Sequence, residues 1–423
     1  MNATVLHGHI CHSKTPNQIE IIENGYIVVE GDICVGVFSE LLPGFDSFPL
    51  VDYGDRLIIP GMTDLHLHAP QFSFRGSGMD LELLDWLNTY TFPEETKYRE
   101  LSYAEEAYSI FVNALRKSVT TRAAVFATVH VPATMLLMDL LDRSGMIAFV
   151  GKVNMDRNCP DDLREADAKQ SLFDTKAWLE ECAGKFSGVK PILTPRFIPT
   201  CTDELLYGLG ELSVNCGIPV QSHMSENYDE ISWVRDLCPS SSSYADAYYR
   251  FGLLGQGSKC IMAHCVHCSE EEIDLLKRNG VFIAHSPESN MNLASGVAPV
   301  SRYLQLGLHV GLATDLAGGS HESMFHAITH AVQASKLRWR LLDPDVKPLS
   351  FDQAFYLATA GGGAFFGKVG AFLPGYSFDA VVLDDTSLIH PQPLSVRDRL
   401  ERIAYLSDDR NIYAKYVAGN RLL

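Results

Sequence analysis

Two histidines, His66 and His68, stand two residues apart in Asp64-Leu65-His66-Leu67-His68. On an extended strand alternate side chains share a face, so both imidazoles can reach one ion at about 2.0–2.1 Å. A His-x-His pair alone is a weak signal, and many such pairs are structural. This one follows Pro60-Gly61-Met62-Thr63, where one β-rich stretch ends and another begins. His223 closes the run Ile218–His223 and Asp315 closes Val310–Asp315. With His66 and His68 they make a three-histidine, one-carboxylate set for a single divalent ion. Zn²⁺ suits these ligands, with Fe²⁺ as the alternative. A second ion would need a bridging group, often a modified lysine, at the end of the fourth strand. Thr194-Pro195-Arg196 stands there and Lys190 lies at that strand's start, so one ion is expected.

Two further residues complete a reaction site. Glu226 follows His223 by three residues, and a carboxylate there can carry protons between water and substrate. Its simpler reading is an acidic residue favoured at a helix start. His264 ends the run Cys260–His264 and is expected to hydrogen-bond the attacking water rather than to be an obligatory ligand; His267 reads as peripheral. A bound ion lowers the pKa of water from about 15.7 to about 7. Asp315 would take a proton from that water, Glu226 would protonate a ring nitrogen and help the amine leave, and His264 would stabilise the tetrahedral centre. These roles would make the reaction a hydrolytic deamination, with no organic cofactor required.

Something must bring residues so far apart in sequence together. Eight apolar runs read as strands: Asp64–His68, Thr121–Val129, Ile147–Val153, Val189–Arg196, Ile218–His223, Cys260–His264, Val281–His285 and Val310–Asp315. Amphipathic stretches such as Tyr103–Arg116, Asp203–Asn215 and Ser269–Asn279 separate them. Asp203 and Ser269 are N-cap residue types, and Ser269 with Glu272 fits a capping box. Eight βα units in series predict an α/β fold, a (β/α)₈ barrel. Six runs end in His, Arg or Asp, and the strand C-termini of such a barrel form its catalytic face. Residues 1–59 and 367–423 read as short strands, including Tyr26–Glu30, Ile33–Val37, Ala380–Leu383 and Tyr413–Val417, with a turn at Gly31-Asp32. They predict a small β-sandwich assembled from both ends around a barrel spanning 60–366.

The bulk numbers narrow the partners. The 423 residues suit a barrel plus a smaller unit, and 46% hydrophobic residues argue against disorder. A net charge of −18 repels nucleic acid and anionic membranes. With no signal peptide, no apolar run of membrane-spanning length and ten scattered cysteines, a reduced cytoplasmic protein is expected. Cys265 and Cys268 form a C-x-x-C without a second ligand pair, and read as thiols on and after a buried strand.

The motifs together resemble the guanine deaminase family of the amidohydrolase superfamily. They are PGMTDLHLHAPQFSFRG (60–76), LLDWLNTYTFP (83–93), LTPRF (193–197), HMSEN (223–227), AHCVHCSE (263–270), HSPESNMNLASG (285–296) and GLATDLAGG (311–319), with later landmarks at 359–362 and 372–375. The resemblance implies hydrolysis of guanine to xanthine and ammonia in purine catabolism or salvage, one zinc per chain and a homodimer. It implies purine contacts at Gln71 and Arg196, with Phe197, His68 and His223 beside them. Arg donates only and suits the C6 oxygen of guanine, whereas Gln can donate and accept. Phe197 and Phe74 could stack on the ring or pack in the core. His285, Glu288 and Phe378 depart from the pattern. A related aminohydrolase acting on a triazine, pyrimidine or nucleoside, and a non-catalytic barrel scaffold, stand as alternatives. The chain lacks the His-x-Glu and Pro-Cys-x-x-Cys of the cytidine-deaminase type.

Overall fold

Strands Met62–His68 and Thr120–Phe126 are buried at every residue. That is the pattern of parallel strands covered on both faces, and explains why they read as continuous apolar runs. In the computed structural model, which describes residues 3–423, two four-stranded parallel sheets carry the middle of the chain. One runs Met62–His68, Thr120–Phe126, Ile147–Gly151, Val189–Pro191; the other runs Val220–Met224, Cys260–His264, Phe282–His285, His309–Leu312. Val153–Asn154 pairs in parallel with Thr194–Pro195. At one junction Leu193 N–H donates to Pro219 O and Gln221 N–H to Leu193 O, both at 2.9 Å. At the other, Asp315 N–H donates to His66 O at 2.9 Å and His68 N–H to Leu316 O at 2.8 Å.

Several strands are shorter than their apolar runs predict: Thr121–Val129, for example, is observed as Thr120–Phe126. Val189–Arg196 divides into Val189–Pro191 and Thr194–Pro195, because Pro191 and Pro195 offer no N–H to a ladder. Ile147–Val153 ends at Gly151 and resumes at Val153. The last strand stops at Leu312, and Asp315 lies beyond it in a left-handed turn with φ +47°. The expected helices form as Leu101–Lys117, Asp203–Cys216 and Glu270–Arg278. Ser269 and Glu272 make the capping box, whereas Thr202, not Asp203, caps the helix at 203.

Both ends of the chain join one continuous eight-stranded sheet rather than two separately hydrogen-bonded sheets. Its order is Tyr376–Ser377, Ile33–Phe38, Gln18–Glu30, Ala3–Thr15, Leu50–Pro60, Ala380–Leu383, Ile412–Val417, Asn420–Arg421. The C-terminal strands extend the N-terminal ones because Ala380–Leu383 pairs antiparallel with Leu57–Pro60. Both faces are buried. Leu57, Ile59, Val381 and Leu383 face the core shared with the middle of the chain. The alternate residues Ile58, Ala380 and Val382 face a second core with Leu6, Ile10, Ile27 and Phe378.

Candidate active site

The strand ends converge as the spacing predicts. His66 and His68 come from Met62–His68, His223 is the penultimate residue of Val220–Met224, and His264 ends Cys260–His264. His66 Nε2 lies 3.1 Å from Asp315 Oδ1, and His68 Nε2 lies 3.5 Å from the same oxygen. His68 Nε2 and His223 Nε2 are 3.2 Å apart. His66, His68 and Asp315 form one group whose ligand atoms lie within 4.8 Å of one another; His66, His223 and His264 form a second. The groups share His66 and so describe one centre. Lys190 is exposed.

The donor set fits a divalent cation. Both His66 ring nitrogens, His68 Nδ1 and His264 Nε2 are buried without a hydrogen-bond partner, an arrangement costly in a protein interior unless something else satisfies them. The outer nitrogens of His223 and His264 are engaged. His223 Nδ1–H donates to Arg196 O at 2.6 Å, and His264 Nδ1–H to Asn290 Oδ1 at 2.9 Å. Such bonds leave each Nε2 aimed inward.

The cluster forms one end of a cavity of about 430 Å³, whose walls include Gln71, Arg196, Phe197, Glu226 and the apolar Leu83, Trp86, Leu87 and Leu293. Glu226 Oε2 lies 3.4 Å from His264 Nε2, and its Oε1 accepts from Ser295 Oγ at 2.9 Å. Phe74 stands outside the walls, against Trp86 and Tyr90. His267 is peripheral: it stacks on Tyr228 and donates to Ser295 O.

Residues 57–422 match the Amidohydrolase family. The chain is 36% identical to guanine deaminase of Dictyostelium discoideum, over 98% of this chain and 97% of that one. It is 38% identical to human guanine deaminase, over 87% and 83%. Its fold superposes with a TM-score of 0.97, at 47% identity and full coverage of both chains, on a crystal structure of guanine deaminase from C. acetobutylicum with guanine bound in the active site.

The chain belongs to the guanine deaminases of the amidohydrolase family.

Within this amidohydrolase the electrostatics separate the residues by task. Burial lowers the pKa of His66, and lowers His68 and His223 well below the usual histidine value, keeping them neutral as ligands must be. Burial opposes ionisation of Asp315, but the neighbouring His66, His264 and His68 hold it well below the ordinary carboxylate range. Glu226 moves the other way: burial pushes it up to about 7, against the pull of His264 and with help from Glu230 and Asp315. Burial lowers His264, yet Glu226 and Asp315 outweigh that and raise it. Two carboxylates in one pocket are therefore one ionised and one able to carry a proton, the usual signature of an acid–base pair.

Sequence reasoning missed several supports. Asp64 is fully buried and accepts from the Thr314 N–H at 3.1 Å, from Thr314 Oγ1 and from the His66 N–H at 3.2 Å, tying the first strand to the Asp315 turn. Glu230 accepts from the Glu226 N–H at 2.9 Å and from Tyr244 OH at 2.7 Å. The apolar wall from Leu83 to Leu87 lies in a short helical segment that periodicity cannot assign to a pocket. Asp64, two residues before His66, was the legible signal, since a carboxylate on a buried strand requires partners.

Proposed function

We propose that this chain hydrolyses guanine to xanthine and ammonia. The observation that carries the reading is the meeting, in one cavity, of the His66–His68–His223–Asp315 cluster, the raised Glu226 and the polar pair Gln71 and Arg196, in a chain of the guanine deaminase family.

His66, His68, His223 and Asp315 are the residues that would hold the ion, zinc by preference and iron as the alternative. When bound there, the ion activates water at neutral pH by lowering its pKa to about 7. Asp315, kept ionised, accepts the proton of the attacking water as its oxygen bonds to C2 of guanine. Glu226, protonated near neutrality, donates to the ring nitrogen beside C2. Asp315 then passes its proton to the amino group, the C2–N bond breaks as the new C2 hydroxyl gives its proton to Glu226, and ammonia leaves. His264 faces both carboxylates and stabilises charge at the tetrahedral carbon. Arg196 donates to the C6 oxygen, Gln71 to or from the ring edge, and Phe197 packs on the base. His68 and His223 border the base as well as the ion.

The same reading carries a closed (β/α)₈ barrel over 60–366 and a β-sandwich from 1–59 and 367–423. The junction hydrogen bonds at Leu193 and Asp315 support closure. A core enclosed by one face of the eight-stranded sheet supports the sandwich. A homodimer working in cytoplasmic purine metabolism accompanies it; no helix among the described residues is long and apolar enough to cross a membrane.

The test is ammonia release over a panel of guanine, adenine, a pyrimidine, a triazine and guanosine, with metal analysis. Guanine should be turned over well ahead of the others, by protein carrying about one ion per chain. Inert guanine beside an active pyrimidine or nucleoside would overturn the substrate.

A further inference from the structure

Glu95 lies on the short helix Phe92–Thr96 and is 1% exposed. Its carboxylate is divided between two residues. Gln71 Nε2 donates to Oε1 at 3.1 Å, and Arg196 Nη1 donates to Oε2 at 2.7 Å. Both donors line the cavity, whereas Glu95 stands behind them. The Phe92 ring, one helical turn earlier on the same face, lies 5.2 Å from the Arg196 guanidinium carbon, so one short helix grips that group by charge and by ring.

The arrangement answers two physical problems. A buried guanidinium beside a histidine cluster that suits a cation is repelled from it, and needs a fixed counter-charge to stay near. A glutamine amide can turn end for end, exchanging donor and acceptor. Here Gln71 Nε2 faces Glu95 while its Oε1 accepts from the Ala317 N–H at 3.3 Å. A carboxylate only accepts, so it forces both neighbours to present donors towards it, and thereby sets what each presents to the cavity.

The geometry points to Glu95 as the positioning residue that sets base specificity, by holding Arg196 and Gln71 in the one arrangement that reads the C6 oxygen and ring edge of guanine. This rests on the guanine reading above. Glu95 acts through its two partners and does not touch the base.

The experiment compares Glu95→Gln and Glu95→Asp with the parent enzyme on guanine and on 2-aminopurine, which keeps the amino-bearing carbon and lacks the C6 oxygen. Metal content and Tm are measured alongside. In Glu95→Gln one of two donors meets an amide NH₂, so KM for guanine should rise roughly tenfold or more and the guanine to 2-aminopurine ratio of kcat/KM should fall by about tenfold, with metal retained. Glu95→Asp, one methylene shorter, should lower the ratio by about threefold. A purely structural role would depress both substrates together, and an unchanged ratio or a parallel loss overturns the proposal. If Glu95→Gln fails to fold, the ratio in Glu95→Asp decides in the same way. Failure of the parent enzyme to deaminate guanine would instead sink the guanine reading. A crystal structure of either variant then tests Glu95 independently: Arg196 and Gln71 left unmoved would overturn its positioning role.

Discussion

Glu226 keeps a proton near neutral pH because its surroundings are dry, and gives it up to a partner because His264 stands 3.4 Å away. Replacing it with glutamine keeps size and burial but removes the exchangeable proton. Glu226→Gln should retain its metal and lose turnover by roughly 10²–10⁴-fold; turnover within threefold of the parent would remove Glu226 from the reaction. Arg196 has a separable proposed task, since its side chain lines the cavity and only its backbone carbonyl reaches His223. Arg196→Ala should lower kcat/KM for guanine by roughly 10²-fold with metal content unchanged. Loss of metal and activity in proportion would show that Arg196 supports the fold of the centre rather than the substrate.

Left-handed residues follow three of the strands that carry the site. Ser225, His264, Cys265 and Asp315 adopt left-handed backbone conformations, with φ of 51°, 72°, 47° and 47°. Each such non-glycine residue costs of order 1–3 kcal/mol and persists only where surrounding contacts impose it. The turn after Asp315 is held by Glu288, which accepts from the Ser320 N–H at 3.1 Å and hydroxyl and lies 3.6 Å from His321 and 3.7 Å from His330. Burial works against the Glu288 charge, but His321 and Ser320 hold its pKa at about 2, and Glu288 raises His321 in return. The depressed carboxylate stabilises the fold above its ordinary pKa, and this is lost as pH falls towards 2. The raised histidine stabilises it below the ordinary histidine pKa, and this is lost as pH rises through the folded value. Both are present between about pH 5 and 6. His321→Gln should therefore lower Tm by about 1–2 °C at pH 5.5 and by less at pH 8. A difference that is constant from pH 5.5 to 8 would count against the pair.

Across the whole molecule, the ends of the chain are locked to its middle by buried charge. Arg122, on Thr120–Phe126, donates through Nε and Nη2 to both oxygens of Asp379 at 2.8 and 3.0 Å, and through Nη2 to Ser377 Oγ. Asp379 also accepts from the Ala418 N–H, and its carbonyl from the Gly61 N–H. Lys415 reaches the carbonyls of Leu115, Arg116 and Ser118 at the end of helix Leu101–Lys117. Asp379→Ala strands the Arg122 charge and should cost about 3–5 kcal/mol in urea unfolding, with KM for guanine unchanged in the folded fraction. A cost below about 1 kcal/mol would mean that water reaches Arg122.

By itself the sequence determined the alternation of strand and helix, the capping box at Ser269, the joining of both ends in one unit, and the metal-suited set His66, His68, His223 and Asp315. These follow from local periodicity and from ligand types placed at strand ends. Only the tertiary structure decided that Asp315 approaches from a left-handed turn, that Asp64 braces the turn carrying Asp315 and Glu230 the backbone of Glu226, and that Glu95 stands behind Gln71 and Arg196. It also decided that Phe74 belongs to an aromatic cluster while Leu83, Trp86 and Leu87 wall the cavity. The physical reason is the same throughout. Periodicity reports which face of an element is buried, but a buried carboxylate acquires its pKa and its partners from groups that reach it through folding.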